Sequence, residues 1–165
     1  MAALNSVTVG AKIRAADVNQ IVNVLTQRAT YSPTITGWNS ATTSPSTNAS
    51  YVRSGNLVMV TIQSKLGTGT ISVGASITVT LPPALPIDTS GLILESFVHQ
   101  IRVGFNDVSA ATEYAGDGRV LDANTIRVLR NSSGTGALGN VSATNPFTFA
   151  TLDELSVVVS YITSA

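Results

Sequence analysis

The sequence predicts an all-β protein: a jelly-roll-like antiparallel sandwich preceded by an extended N-terminal arm and one short amphipathic helix. Three observations carry this. After Tyr51, apolar and polar residues alternate in short runs, which is the period of a half-buried strand. Turn-forming residues recur between those runs, among them Ser54-Gly55, Pro82-Pro83 and Asp122-Ala123-Asn124. No helical period interleaves with the strands, which argues against a parallel α/β sheet.

Residues 1–13 are mixed and β-branched, broken at Gly10, and read as an extended arm. Residues 15–28 carry the one helical period. Val18, Ile21, Val22 and Leu25 fall at i, i+3, i+4 and i+7 and form a single apolar stripe. Asp17 in the first turn and Arg28 in the last suit the helix dipole. A helix of about four turns is marginal alone in water, so its stripe must lie against something. Either its own β domain covers it, or it bundles with sister copies or docks on a neighbouring protein. On the second of these readings residues 1–30 are an attachment and oligomerisation segment; residues 31–165 are the β domain. Val18, Ile21, Val22 and Leu25 are the candidate assembly residues.

Tyr31 and Trp38 flank the start of that domain. They can plug the end of the sandwich and anchor the arm, or form a platform on which a sugar stacks. Residues 39–50, NSATTSPSTNAS, read as a low-complexity loop. Tyr51-Val52-Arg53 and the run from Asn56 to Gln63 make a hairpin across Ser54-Gly55. In that run Val58, Val60 and Ile62 point to the core, and Leu57, Met59 and Thr61 away from it. Residues 67–74 read as a glycine-containing loop or irregular strand. Ile77, Val79 and Leu81 share one strand face, and Pro82-Pro83 ends that strand. Leu92 to Phe105 is long and apolar, one bulged strand or two joined ones. Asp117-Gly118 reads as a turn. Residues 118–121 and 125–129 pair as a hairpin across Asp122-Ala123-Asn124. Residues 131–140 form a glycine-rich loop, and residues 155–162, LSVVVSYI, a strong final strand.

The nine basic and nine acidic residues cancel, and charged residues make up only 11% of the chain, against roughly 25% in ordinary soluble proteins. Forty serines and threonines supply the polar surface instead. Such a surface argues against nucleic acid as a partner. A net charge near zero favours association, so much of the surface is expected to be covered by copies of the chain or by partners. There are no cysteines, which removes disulfides and thiolate metal sites. No apolar run reaches the roughly 18 residues of a membrane span. The N-terminus MAALNSVTVGAK has neither a basic region nor a continuous apolar one, so no signal peptide is expected and synthesis in the host cytoplasm follows.

The search for reactive groups yields little. His99 is the single histidine and sits in an apolar run, which suits a strand position better than a catalytic base. Asp107, Glu113, Asp117 and Asp122 lack calcium-loop spacing and read as turn formers and solvated loop ends. Gly134 to Gly139 opens no helix, which rules out a dinucleotide fingerprint. Arg119, Arg127 and Arg130 form a small basic group on one hairpin. No catalytic residue, metal ligand or cofactor is expected.

Several segments resemble minor tail and appendage proteins of phages infecting actinobacteria. Residues 13–25, IRAADVNQIVNVL, are similar to the short helix near their N-terminus. Residues 51–60, YVRSGNLVMV, look like the Tyr-x-Arg-x-Gly-x-x-Val strand pair of their β domains. Leu81-Pro82-Pro83 matches a strand-closing Leu-Pro, and residues 145–161 resemble their Pro-Phe-Thr-Trp-Ala-x-Gly-Asp ending. Phe149 stands where that pattern has Trp, and Leu152 where it has Gly. The resemblance implies a virion structural protein, minor tail, tail-fibre-like or capsid-decorating, with other virion proteins as partners and a host cell-wall glycan as the alternative ligand. Threefold sites on such particles favour a homotrimer.

Overall fold

The computed structural model describes residues 27–90, 100–131 and 138–164. The expected arm, most of the expected helix with Val18, Ile21, Val22 and Leu25, the segment 91–99 with His99, and residues 132–137 of the glycine-rich loop lie outside the described residues. The described chain is all-β and contains no helix. Its strands are β1 (Gln27–Thr30), β2 (Ile35–Ser40), β3 (Ser46–Ser54), β4 (Leu57–Lys65), β5 (Ile71–Thr80), β6 (Gln100–Asp107), β7 (Thr112–Asp122), β8 (Thr125–Asn131), β9 (Leu138–Asn140) and β10 (Glu154–Ile162).

All ladders are antiparallel, and one path joins β1-β3-β4-β10-β6-β7-β8-β5-β2, with β9 added to β8. β1 and β2 lie at opposite ends of this path, yet only Tyr31–Thr34 separate them in the chain. That link reaches at most roughly 18 Å, whereas nine strands laid flat would hold the edges about 38 Å apart. The sheet must therefore roll until its edges meet. Tyr31 sits on the seam: its N–H donates to Ala49 O at 3.3 Å and its hydroxyl to Thr80 O at 3.3 Å. Thr34 and Thr80 close it further, Thr34 N–H donating to Thr80 Oγ1 at 2.8 Å and Thr80 N–H to Thr34 O at 3.1 Å.

Rolling gives the sheet an inside and an outside, and β4 shows why the sequence accepts this. Val58, Val60 and Ile62 are fully buried, while their neighbours Leu57, Met59, Thr61 and Gln63 are exposed. β10 repeats the pattern with Leu155, Val157, Val159 and Tyr161 inside. Trp38, Phe105, Leu66, Ile77, Leu81, Ile87 and Ile126 complete a single core. Each such side chain contributes about 1.5–3 kcal/mol through burial.

Some expectations need correction. Gln27 and Arg28 are strand, not the end of a helix, because they pair with Arg53 and Val52 and so extend the sheet. The run 39–50 is mostly strand: Asn39 and Ser40 end β2, and Ser46 opens β3. Ser46 and Ser50 suit its outward face, whereas Thr47 turns inward with Ala49, its Oγ1 2.8 Å from the buried Ser64 Oγ. Asp117-Gly118 is no turn but mid-strand in β7: Asp117 lies between Arg102 of β6 and Leu129 of β8, and Gly118 opposite Val128 of β8. A Cβ on Gly118 would stand 2.3 Å from Ile101 Cγ2, so this glycine serves close packing. The β3–β4 turn is Gly55-Asn56, one residue later than expected, since Ser54 pairs with Leu57. Gly55 has φ +58° and Asn56 does not, the type II′ pattern that matches strand twist. Gly139 lies in β9, within the expected 131–140 loop, whereas β5 from Ile71 takes the strand alternative for part of 67–74.

Asp153 is the one fully buried charged side chain among the described residues. Its Oδ2 accepts Ala150 N–H at 2.6 Å and its Oδ1 accepts Val108 N–H at 3.0 Å, tying the turn before β10 to the end of β6. Leu152, just before it, has φ +73°, the left-handed conformation that glycine adopts freely. The departure from Gly noted in the sequence thus falls on a residue held in a strained backbone state.

Candidate functional site

The outer face of β3, β4 and β10 carries two chemically different surfaces. Near the β3–β4 hairpin the register places Met59 between Val52 and Ser160, Leu57 beside Ile162, and Thr61 beside Val158. Val52, Leu57, Met59, Val158 and Ile162 therefore form one contiguous apolar patch, each residue between 37% and 51% exposed. Apolar residues scattered singly over a surface are ordinary, whereas a contiguous cluster marks a contact surface.

At the opposite end of the same strands the outer face is polar. Ser46, Lys65, Glu154 and Asn106 share one row and Asn48, Gln63, Ser156 and Gly104 the next. Lys65 Nζ lies 3.4 Å from Glu154 Oε1, and Asn106 Nδ2 donates to Glu154 Oε2 at 3.3 Å. Gly104 and Ala115 are small, so a shallow, open groove runs between these polar side chains. It offers hydrogen bonding but no nucleophile with a base.

The other sequence-derived candidates do not converge. Asp107, Glu113, Asp117 and Asp122 are strung along the β6–β7 hairpin and β7. Asp107 Oδ1 accepts the Ser109 hydroxyl and Ala110 N–H, which hold its carboxyl below the ordinary value. Asp122 Oδ1 accepts Asn124 N–H at 2.8 Å, so it shapes the β7–β8 turn. Among the described residues no group of three or more acids, histidines or cysteines could hold a metal ion. The basic group divides: Arg119 and Arg127 face one another across β7 and β8, while Arg130 pairs with Gly116 on the alternate face, its guanidinium beside Gly139.

Trp38 cannot be a surface platform for a sugar. It is only 1% exposed, and its ring meets Phe149 edge-on at 5.3 Å inside the core. Tyr31 is half-buried at the seam, edge-on to Tyr51 at 6.1 Å. Burial first, and the proximity of Tyr161 second, push the Tyr31 hydroxyl well above the usual phenol range. Burial likewise raises Tyr161, whose hydroxyl donates to Leu85 O at 2.9 Å.

Sequence reasoning recognised Leu57 and Met59 as outward-facing but missed the patch. Its other members come from β3 and β10, and only the long-range β4–β10 register assembles them. Asp153 was missed as an anchor because its two donors come from separate loops.

No protein-family model matches the chain, and no curated protein matches it. Among solved structures it is similar to the C-terminal receptor-binding domain of avian reovirus fibre sigmaC, with TM-score 0.43 and 16% identity, covering 84% of this chain and 77% of that one. A zinc crystal form of the same domain gives TM-score 0.44 and 14% identity, covering 84% and 74%. A third sigmaC structure gives TM-score 0.42 and 15% identity, covering 84% of this chain and 61% of that one. Values of this size leave the role of the chain to its own residues.

Proposed function

We propose that the chain is a non-enzymatic structural component of a tailed-phage particle, an accessory surface protein on tail or head that assembles with copies of itself and docks on other particle proteins. The observation that carries the reading is the apolar patch of Val52, Leu57, Met59, Val158 and Ile162 on an otherwise hydroxyl-rich outer face. In a surface poor in charge, such a patch drives association. The resemblance of residues 13–25, 51–60 and 145–161 to phage appendage proteins supports the setting.

The test has two parts. Light scattering behind size exclusion is expected to give a multiple of the 17.0 kDa chain mass, and antibody labelling of purified particles is expected to decorate them. A concentration-independent monomer together with unlabelled particles overturns the reading.

A further inference from the structure

The structure shows one apolar surface that needs a partner, the outer-face patch, and the sequence pattern leads us to expect a second, the stripe Val18, Ile21, Val22 and Leu25. We propose that they are each other's partner between copies, the N-terminal stripe of one chain docking on the β3–β4–β10 patch of the next. This rests on the assembly reading above and names its contact.

The dimensions agree. The patch crosses three strands, about 10 Å at the usual strand spacing. At the helical rise, Val18 to Leu25 also spans about 10 Å. The borders agree as well: Ser50, Ser54 and Ser160 share the patch's outward rows, and Asn19 and Asn23 flank the stripe in sequence.

Where the chain enters the sheet favours a neighbouring copy over the chain's own patch. Gln27 is still in register with Arg53, so the backbone leaves β1 as strand, running past the end of the sheet where the β3–β4 hairpin turns. Placing Leu25 on the same chain's Met59 demands a full reversal within Thr26, whereas connections between elements commonly take about 2–6 residues. A stripe handed to a neighbour makes a head-to-tail contact, which closes into a ring where the rotation between copies closes and otherwise runs on as a filament. The interface is thus built from unlike surfaces, and each copy both gives and receives.

The absence of native cysteine makes the test clean. Two differently tagged chains, one carrying Val22→Cys and the other Met59→Cys, are co-expressed, oxidised and run without reductant. Met59 is exposed, and the fluorescence of the sole tryptophan, the buried Trp38, verifies that both variants fold. The expected result is a covalent pair containing both tags, absent when Ser46→Cys at the polar end replaces Met59→Cys. Four results overturn the proposal. A single-chain crosslink in the Val22→Cys/Met59→Cys double variant would place the stripe on its own domain. A crosslink within the Val22→Cys preparation alone would mean that stripes bundle with stripes. No crosslink from a chain that scatters as an oligomer would refute this contact but keep assembly, whereas a monomer by scattering would refute assembly itself.

Discussion

The two ends of the outer face of β3, β4 and β10 share the same strands and the same core beneath them, yet one end is apolar and the other polar. Beneath both, Val58, Val60, Ile62, Val157 and Val159 are fully buried. The inner positions are constrained by packing, so their identity reports the fold. The outer positions are free of that constraint, so Leu57, Met59 and Ile162 in place of more residues like Gln63, Lys65 and Ser156 report what the surface meets. Alternation tells inside from outside, and on the proposed reading departure from alternation marks where a partner would sit.

That contrast can be broken or sharpened by substitution. Ile62→Ala, on the inner face, is expected to cost about 2–5 kcal/mol, read by urea unfolding followed through Trp38 fluorescence. A loss no greater than that of an outer-face change would mean that the faces do not differ as described. Asp153→Ala, which strips the acceptor from Ala150 and Val108 N–H near the polar end, is expected to cost about 2–3 kcal/mol and to speed hydrogen exchange at those two amides. Leu152→Gly is expected to stabilise by about 1 kcal/mol, because it relieves the left-handed conformation. Its thermal midpoint should rise, and a fall would show that the exposed leucine side chain matters more than its backbone. The smallest effects on folding belong to the outer face itself: Met59→Ser and Lys65→Ala should each change stability by less than about 0.5 kcal/mol. Only Met59→Ser should lower the assembled mass by light scattering, and equal masses would remove the distinction between the two ends.

The sequence was legible where one face is buried and the strand is regular. The alternation in β4, the run that becomes β10, the β7–β8 hairpin and the proline stop after β5 all read correctly because burial dictates residue type there. Legibility failed for two physical reasons. Ser/Thr-rich strands such as the start of β3 have an outer face that looks like loop, and the inward residues there, Thr47 and Ala49, carry little apolar signal. Asp117-Gly118 reads as a turn in the sequence where the need is closeness: a Cβ on Gly118 would lie 2.3 Å from Ile101 Cγ2. The candidate site was legible only as two outward residues of β4, since its completion depends on a partner strand about a hundred residues away in the chain.

The position of β10 carries a mechanical consequence. Among the described residues the last strand, β10, is nine residues long and clamped between β4 and β6, whereas the first, β1, is four residues long and held on β3 alone. A load applied between the two ends of the chain would shear two long ladders at one end and one short ladder at the other. Yielding therefore begins at β1, which can peel away while the β10 clamp keeps the barrel whole. A protein tethered by its N-terminal segment would in this way absorb a tug at its attachment point before its body deforms.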